Sequence, residues 1–272
     1  MDSASNNPMK PAIIVVDIGN TSTSFALARE GRIVGITRLP THGPNRPMIR
    51  RCLAELTRGC RIQGAAVCSV VPAQNRLWIR ELKRLTGRIP LRIHHRLKLD
   101  VAIDYPRPAT IGADRLANAC AATERYGTPV IVADFGTALT FDIISRNRAY
   151  IGGIITPGLP LMTDYLADRT ALLPRIRLSD EGKRAVPFQR QRVIGKSTEQ
   201  AMIIGARLGY TGMVREIFSR LKQSLQEPRI RLCATGGYAS WALAGSDIRV
   251  SIDPDLTLYG ISRIYDLNRP ED

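Results

Sequence analysis

Two stretches of this chain each place a carboxylate, a glycine and hydroxyl residues at the end of an apolar run. Residues 13–27 begin Ile-Ile-Val-Val-Asp-Ile-Gly-Asn-Thr and reach Phe25-Ala26-Leu27 through more hydroxyls. Residues 130–144 begin Val-Ile-Val-Ala-Asp-Phe-Gly-Thr-Ala and reach Phe141-Asp142-Ile143-Ile144 through Thr140. Asp17 aligns with Asp134 and Gly19 with Gly136, 117 residues apart. Glycine allows a sharp turn whose N–H groups approach a ligand closely. Such N–H groups and hydroxyls suit phosphate oxygens. A carboxylate at the strand end suits Mg²⁺, which takes oxygen ligands and keeps several waters. Either turn alone reads equally well as an ordinary hairpin. Two matching turns inside matching strand pairs point instead to a nucleotide gripped with its metal ion. The grip is not a Walker phosphate loop, because no G-x-x-x-x-G-K-[ST] occurs.

A second candidate site is Gly112-Ala113-Asp114-Arg115, at the start of an alanine-rich helix. A carboxylate there commonly just complements the helix dipole. It can also take the proton from a hydroxyl that attacks a γ-phosphate. Arg115 can hold a substrate carboxylate in a bidentate fork, and Tyr105 can wall the same pocket. Gly152-Gly153 with Pro157-Gly158, and Thr235-Gly236-Gly237, are glycine-rich exits from strands, where ligand crevices often lie. Gly195-Lys196-Ser197-Thr198 opens a long helix, with Thr198 either its cap, the default, or a ligand hydroxyl.

Periodicity supplies the elements that must position these groups. Strands are predicted over 13–16, 23–28, 32–37, 65–71, 130–134, 138–144, 150–155 and 229–234. Helices are predicted over 48–58, 75–86, 112–126, 159–166, 198–225 and 258–267. In the 75–86 helix the apolar stripe reads Leu77, Trp78, Leu82 and Leu85. The 99–108 and 170–192 segments read as loops, the latter long enough to be functional. A repeat offset of domain size implies two similar α/β halves that meet near residues 105–118. The expected layout is a disordered lead-in over 1–11, one domain over 12–117 and a second over 118–272.

Composition narrows the function classes. The chain has 272 residues, 44% of them hydrophobic, enough for two modest domains with real cores. No apolar run approaches the roughly 20 residues of a membrane helix, and no signal peptide precedes the first strand. The expected compartment is the cytoplasm. Cys52, Cys60, Cys68, Cys120 and Cys233 include no C-x-x-C pair, and no metal-ligand spacing links them to the three histidines; they read as reduced core residues. The net charge of +15 comes chiefly from scattered arginines. Only 6% of residues are aromatic, thin for base stacking. The charge therefore reads as a solvated surface that favours anionic substrates, and nucleic acid is not the expected partner.

Taken in order, these motifs resemble the type III pantothenate kinase family of the acetate and sugar kinase, Hsc70 and actin superfamily. The matching residues are Asp17-x-Gly19-Asn20-Thr21, Ser69-Val70-Val71-Pro72, Gly112-Ala113-Asp114-Arg115, Asp134-x-Gly136-Thr137-Ala138-x-Thr140, Gly152-Gly153-x-Ile155-x-Pro157-Gly158, Gly195-Lys196-Ser197-Thr198 and Thr235-Gly236-Gly237. The resemblance implies an α/β fold of two duplicated actin-like (ribonuclease H-like) domains with an ATP cleft between them. It implies ATP-dependent phosphorylation of pantothenate to 4'-phosphopantothenate, the first step toward coenzyme A. Asp114 would be the general base. Asp17, Ile18, Gly19, Asn20, Thr21, Ser22, Thr23 and Ser24 would cradle ATP, with Asp17 near Mg²⁺, and Thr137 would touch the nucleotide. Asp134 would hold a K⁺ or NH₄⁺ ion. Tyr105, Gly112, Ala113, Asp114, Arg115 and Thr198 would line the pantothenate pocket of a homodimer. One departure is Ser24, where some members carry lysine. The alternative is a non-catalytic regulator of the same fold that binds nucleic acid, against which the intact Asp17, Asp114 and Asp134 argue.

Overall fold

A computed structural model describes residues 11–176 and 193–269. The expected lead-in falls almost wholly outside them, as does most of the 170–192 segment. Two compact units result: Met1–Glu124 with Asp255–Asp272, and Arg125–Pro254.

In the first unit β1 (Ala12–Ile18), β2 (Ser22–Arg29) and β3 (Arg32–Pro40) form an antiparallel meander. Helix α1 (Arg46–Leu56) leads to β4 (Ile62–Ser69), which pairs parallel to β1. Helix α2 (Pro72–Thr86) leads to β5 (Leu91–Arg92), parallel to β4. The strand order is β3-β2-β1-β4-β5. One face packs Ile14, Val16, Ile18, Phe25 and Leu27 against Ile49, Leu53, Trp78 and Leu82 of the two helices. The alternation of strand side chains leaves Ile13, Val15 and Ala26, all buried, on the other face. The unit continues through a short strand β6 (Ala102–Ile103) into α3 (Ala113–Tyr126).

The second unit repeats this plan. Strands β7 (Val130–Phe135), β8 (Ala138–Ile144) and β9 (Ala149–Pro157) form the meander. Helices α4 (Leu159–Arg169) and α5 (Thr198–Leu225) precede β10 (Arg231–Thr235), parallel to β7. After α6 (Ala239–Leu243) comes β11 (Ser251–Ile252), parallel to β10. Among this unit's own strands the order β9-β8-β7-β10-β11 repeats that of the first unit, and the sheet carries the short β6 as a sixth, edge strand. The match reaches single bonds. Ile93 N–H donates to Val67 O (2.9 Å) at the end of β5, and Asp253 N–H donates to Ala234 O (2.8 Å) at the end of β11. Register extends it: Val16 faces Phe25 and Ala133 faces Phe141. The second turn is thus one residue shorter than the first.

The units divide after Glu124 rather than after residue 117, and the last helix, α7 (Leu256–Leu267), belongs to the first unit. Its contacts explain this, because it packs across β1, β2 and β4. Another difference lies in α2. Its predicted stripe included Leu85, which is exposed, while Glu81 is buried. Arg46 and Arg50 of α1 donate to its two carboxylate oxygens at 2.8 and 2.5 Å. Gly205, Gly209 and Gly212 do not interrupt the helix predicted over 198–225, and α5 is continuous.

Candidate active site

Asp17 is the last-but-one residue of β1 and is half-buried. The turn after it closes through Gly19 N–H to Ser22 O (3.1 Å). Two contacts from Thr41 brace that turn: its N–H donates to Thr21 O (2.9 Å) and its hydroxyl to Gly19 O (2.6 Å). Asn20 and Thr21 are exposed at the tip. Ile18 and Thr23 turn inward, Ile18 into the core and the Thr23 hydroxyl to Thr41 Oγ1 (3.0 Å). Asp17, Gly19, Asn20, Thr21 and Ser22 are therefore the members of the expected cradle that can face a ligand, while Ser24 is buried with its hydroxyl accepting from Arg38. Thr41 was not found by sequence reasoning, because it sits in a stretch that reads only as a proline-flanked loop.

Asp114 stands in the first turn of α3, where Leu116 N–H donates to Gly112 O (3.2 Å). Its side chain folds back to accept from Arg115 N–H (2.8 Å). A Cβ on Gly112 would fall 2.4 Å from Asp114 Oδ1, so only glycine leaves that space. Enclosure of the carboxyl raises its pKa above the usual aspartate value, against the opposing pull of the Arg115 N–H and charge. Arg115 and Tyr105 are half-buried in the same unit.

In the second unit Asp134 holds the place of Asp17. The Gly136 N–H donates to Ala138 O (3.1 Å), and the Gly158 N–H to Thr137 O (3.1 Å). Gly236 has φ +91°, and a Cβ there would lie 2.6 Å from Asp134 Oδ1. Three of the glycine-bearing segments singled out from the sequence thus meet at one strand end. Thr235 and Thr140 pair with Asp134 from either side. Thr198 is the exposed first residue of α5 and is not its cap; Ser197 is, accepting from Gln200 N–H (3.2 Å). Sequence reasoning also missed Tyr210. Its buried hydroxyl lies near the Leu159 backbone yet makes no hydrogen bond among the described residues. Burial, reinforced by the charge of Asp134, pushes its phenol pKa up.

A family model for type III pantothenate kinase matches residues 13–220. The type III pantothenate kinase of Akkermansia muciniphila is 41% identical over 255 residues, spanning 94% of this chain and 98% of its own. The chain belongs to the type III pantothenate kinase family. The member from Methylacidiphilum infernorum is 37% identical over 256 residues, spanning 94% of this chain and 88% of its own. A solved structure of the ethanolamine utilization protein EutJ from Carboxydothermus hydrogenoformans superposes with a TM-score of 0.55 at 13% identity, over 94% of this chain and 91% of that one. That likeness concerns the fold alone. The duplicated strand order supplies the two similar α/β halves expected from the repeated motif.

Proposed function

We infer that Asp114 is the general base in the ATP-dependent phosphorylation of pantothenate to 4'-phosphopantothenate, the first step of coenzyme A biosynthesis. The support for this assignment is a carboxylate in the first turn of α3, held by the Arg115 N–H, in surroundings that push its pKa up. A hydroxyl attacking the γ-phosphate must give up its proton, and a more basic carboxylate accepts it better. The Arg115 N–H and the space over Gly112 fix one oxygen of that carboxylate, leaving the other to face the substrate. Arg115 would fork to the pantothenate carboxylate, with Tyr105, Gly112 and Ala113 of the same unit lining the pocket.

The Asp17–Ser24 turn would hold the ATP phosphates through its N–H groups, with Thr137 touching the nucleotide. The donors around both strand-end aspartates suit hard cations. Asp17 pairs with the hydroxyl residue Ser24, and Asp134 lies between two threonines. Oxygen donors of this kind fit Mg²⁺ at Asp17 and K⁺ or NH₄⁺ at Asp134. When bound, these ions would neutralise charge on the phosphates as the loose transition state forms. Apart from proton acceptance by Asp114, the rest would be positioning by the chain itself.

A homodimer is the proposed assembly. Its support is a set of exposed apolar side chains on one unit, Ile155, Leu161, Tyr165, Leu166 and Leu208. Among the described residues no helix is long and apolar enough to cross a membrane. With water-soluble substrates, the proposed compartment is the cytoplasm.

The test is ADP release with pantothenate and Mg-ATP, with and without K⁺, using Asp114→Asn as the blank. The expected result is pantothenate-dependent release, stimulated by K⁺ and nearly lost in the variant. Full turnover by a folded Asp114→Asn protein would sink the base assignment.

A further inference from the structure

The two strand-end carboxylates sit in matching rows across their sheets, and the rows differ at one end. In the first unit β4, β1, β2 and β3 align Cys68, Asp17, Ser24 and Arg38. In the second, β10, β7, β8 and β9 align Thr235, Asp134, Thr140 and Ile155. Directly paired residues share a face of the sheet. Asp17, Ser24 and Arg38 therefore lie side by side on the face opposite the α1–α2 core, beside the Gly19–Ser22 turn. In the second row the position of Arg38, paired with Thr140, is an exposed isoleucine, Ile155. One row carries a cation and the other does not.

Arg38 Nε donates to Ser24 Oγ at 3.2 Å. Among the described residues this bond goes to a neutral hydroxyl and not to a carboxylate. Other arginines of the unit are committed to acids: Arg46 and Arg50 to Glu81, Arg51 to Glu55, and Arg263 to Asp100. The Arg38 residue is exposed, and the strand that carries it runs on to Thr41, which braces the turn. Anchoring through Nε leaves the Nη groups, whose planar N–H fork matches phosphate oxygens.

We propose that Arg38 is a phosphate-binding residue for the nucleotide, supplying the positive charge that the neutral Ser24 does not. The inference rests on the reading of the Asp17–Ser24 turn as the ATP-phosphate site. It also accounts for the difference between the rows. A row that sets an arginine one strand beyond the serine paired with its carboxylate suits a polyanion, whereas a carboxylate between two threonines suits a lone cation.

The test compares Arg38→Gln, Arg38→Lys, Arg38→Gln combined with Ser24→Lys, and Asp17→Asn, by ADP release and by inhibition with inorganic tripolyphosphate. Thermal melting checks the fold of each. Arg38→Gln is expected to raise the KM for ATP about tenfold or more, the scale of a lost charge-assisted hydrogen bond. It should weaken tripolyphosphate inhibition in step and leave the KM for pantothenate within about twofold. Arg38→Lys should fall between, because it keeps the charge without the fork. Ser24→Lys in the Gln background should recover part of the ATP affinity, which a merely structural Arg38 would not allow. If Asp17→Asn alters ATP use while neither Arg38 variant does, the proposal is overturned and the turn assignment stands. If neither Asp17→Asn nor the Arg38 variants change ATP use, the turn assignment fails and the proposal falls with it.

Discussion

At the scale of single residues, buried ionisable groups in this chain divide into inert and chemically poised ones. Burial pushes the thiols of Cys120 and Cys233 up to about 12, so both stay protonated at neutral pH and behave as small core residues. Asp114 is raised by the same cause, but it stands at a helix start next to Arg115. A base works only when deprotonated. With Asp114 as the proposed base, turnover would be present above its pKa and lost as pH falls through it, and that pKa lies above the ordinary 3.8. The acid limb of a kcat/KM profile for pantothenate should accordingly sit higher than a solvated aspartate would place it. Asp114→Asn should remove this limb and cost roughly 10²–10⁴-fold in rate, the usual scale of general-base catalysis. A profile whose limb is unchanged in the variant would assign the ionisation to another group.

At the scale of elements, the joint between α1 and α2 shows what local pattern can and cannot reveal. Burial works against the charge on Glu81, yet hydrogen bonds from Arg50 and Arg46 outweigh it and hold the carboxyl below its usual pKa. A depressed carboxylate stabilises the fold above its unfolded pKa, and that stability is lost as pH falls through the folded one. Glu81→Gln should therefore destabilise the protein by about 1–3 kcal/mol at neutral pH, since the arginine heads are partly exposed and can rehydrate. The difference from the parent should shrink in acid, and equal melting temperatures at pH 7 would remove Glu81 from the joint. Periodicity made Trp78 and Leu82 legible as core, because apolar spacing is a local signal. It placed Leu85 there too and overlooked Glu81, because a buried acid depends on arginines about 30 residues away in sequence. The paired Asp-x-Gly turns were readable for the converse reason, as local turn chemistry repeated at a fixed offset. Thr41 and Arg38 reach the first turn only through strand register, which no short motif records.

At the scale of the whole molecule, the duplication was legible from the repeated strands, but the path of the chain between the halves was not. The last helix follows strands of the second unit in sequence and packs in the first, a choice made by non-local burial of Leu258, Ile261 and Ile264. It lies close against α3 at Gly260, where a Cβ would fall 2.0 Å from Ala117 O. Ala117 is three residues beyond Asp114 in α3, nearly one helical turn. The seat of α7 thus helps to set where the helix that carries Asp114 lies. Gly260→Val must push the two helices apart, because the obstacle is backbone and has no rotamer to change. Overpacking of this kind costs about 1–3 kcal/mol, and the displaced α3 carries Asp114 with it. Thermal unfolding should report the stability loss, and ADP release should show a kcat that falls further than the folded fraction does. A variant with the parent's melting temperature would show that α7 does not sit against α3 as described. A lower melting temperature with unchanged kcat would mean that Asp114 is positioned by its own turn alone.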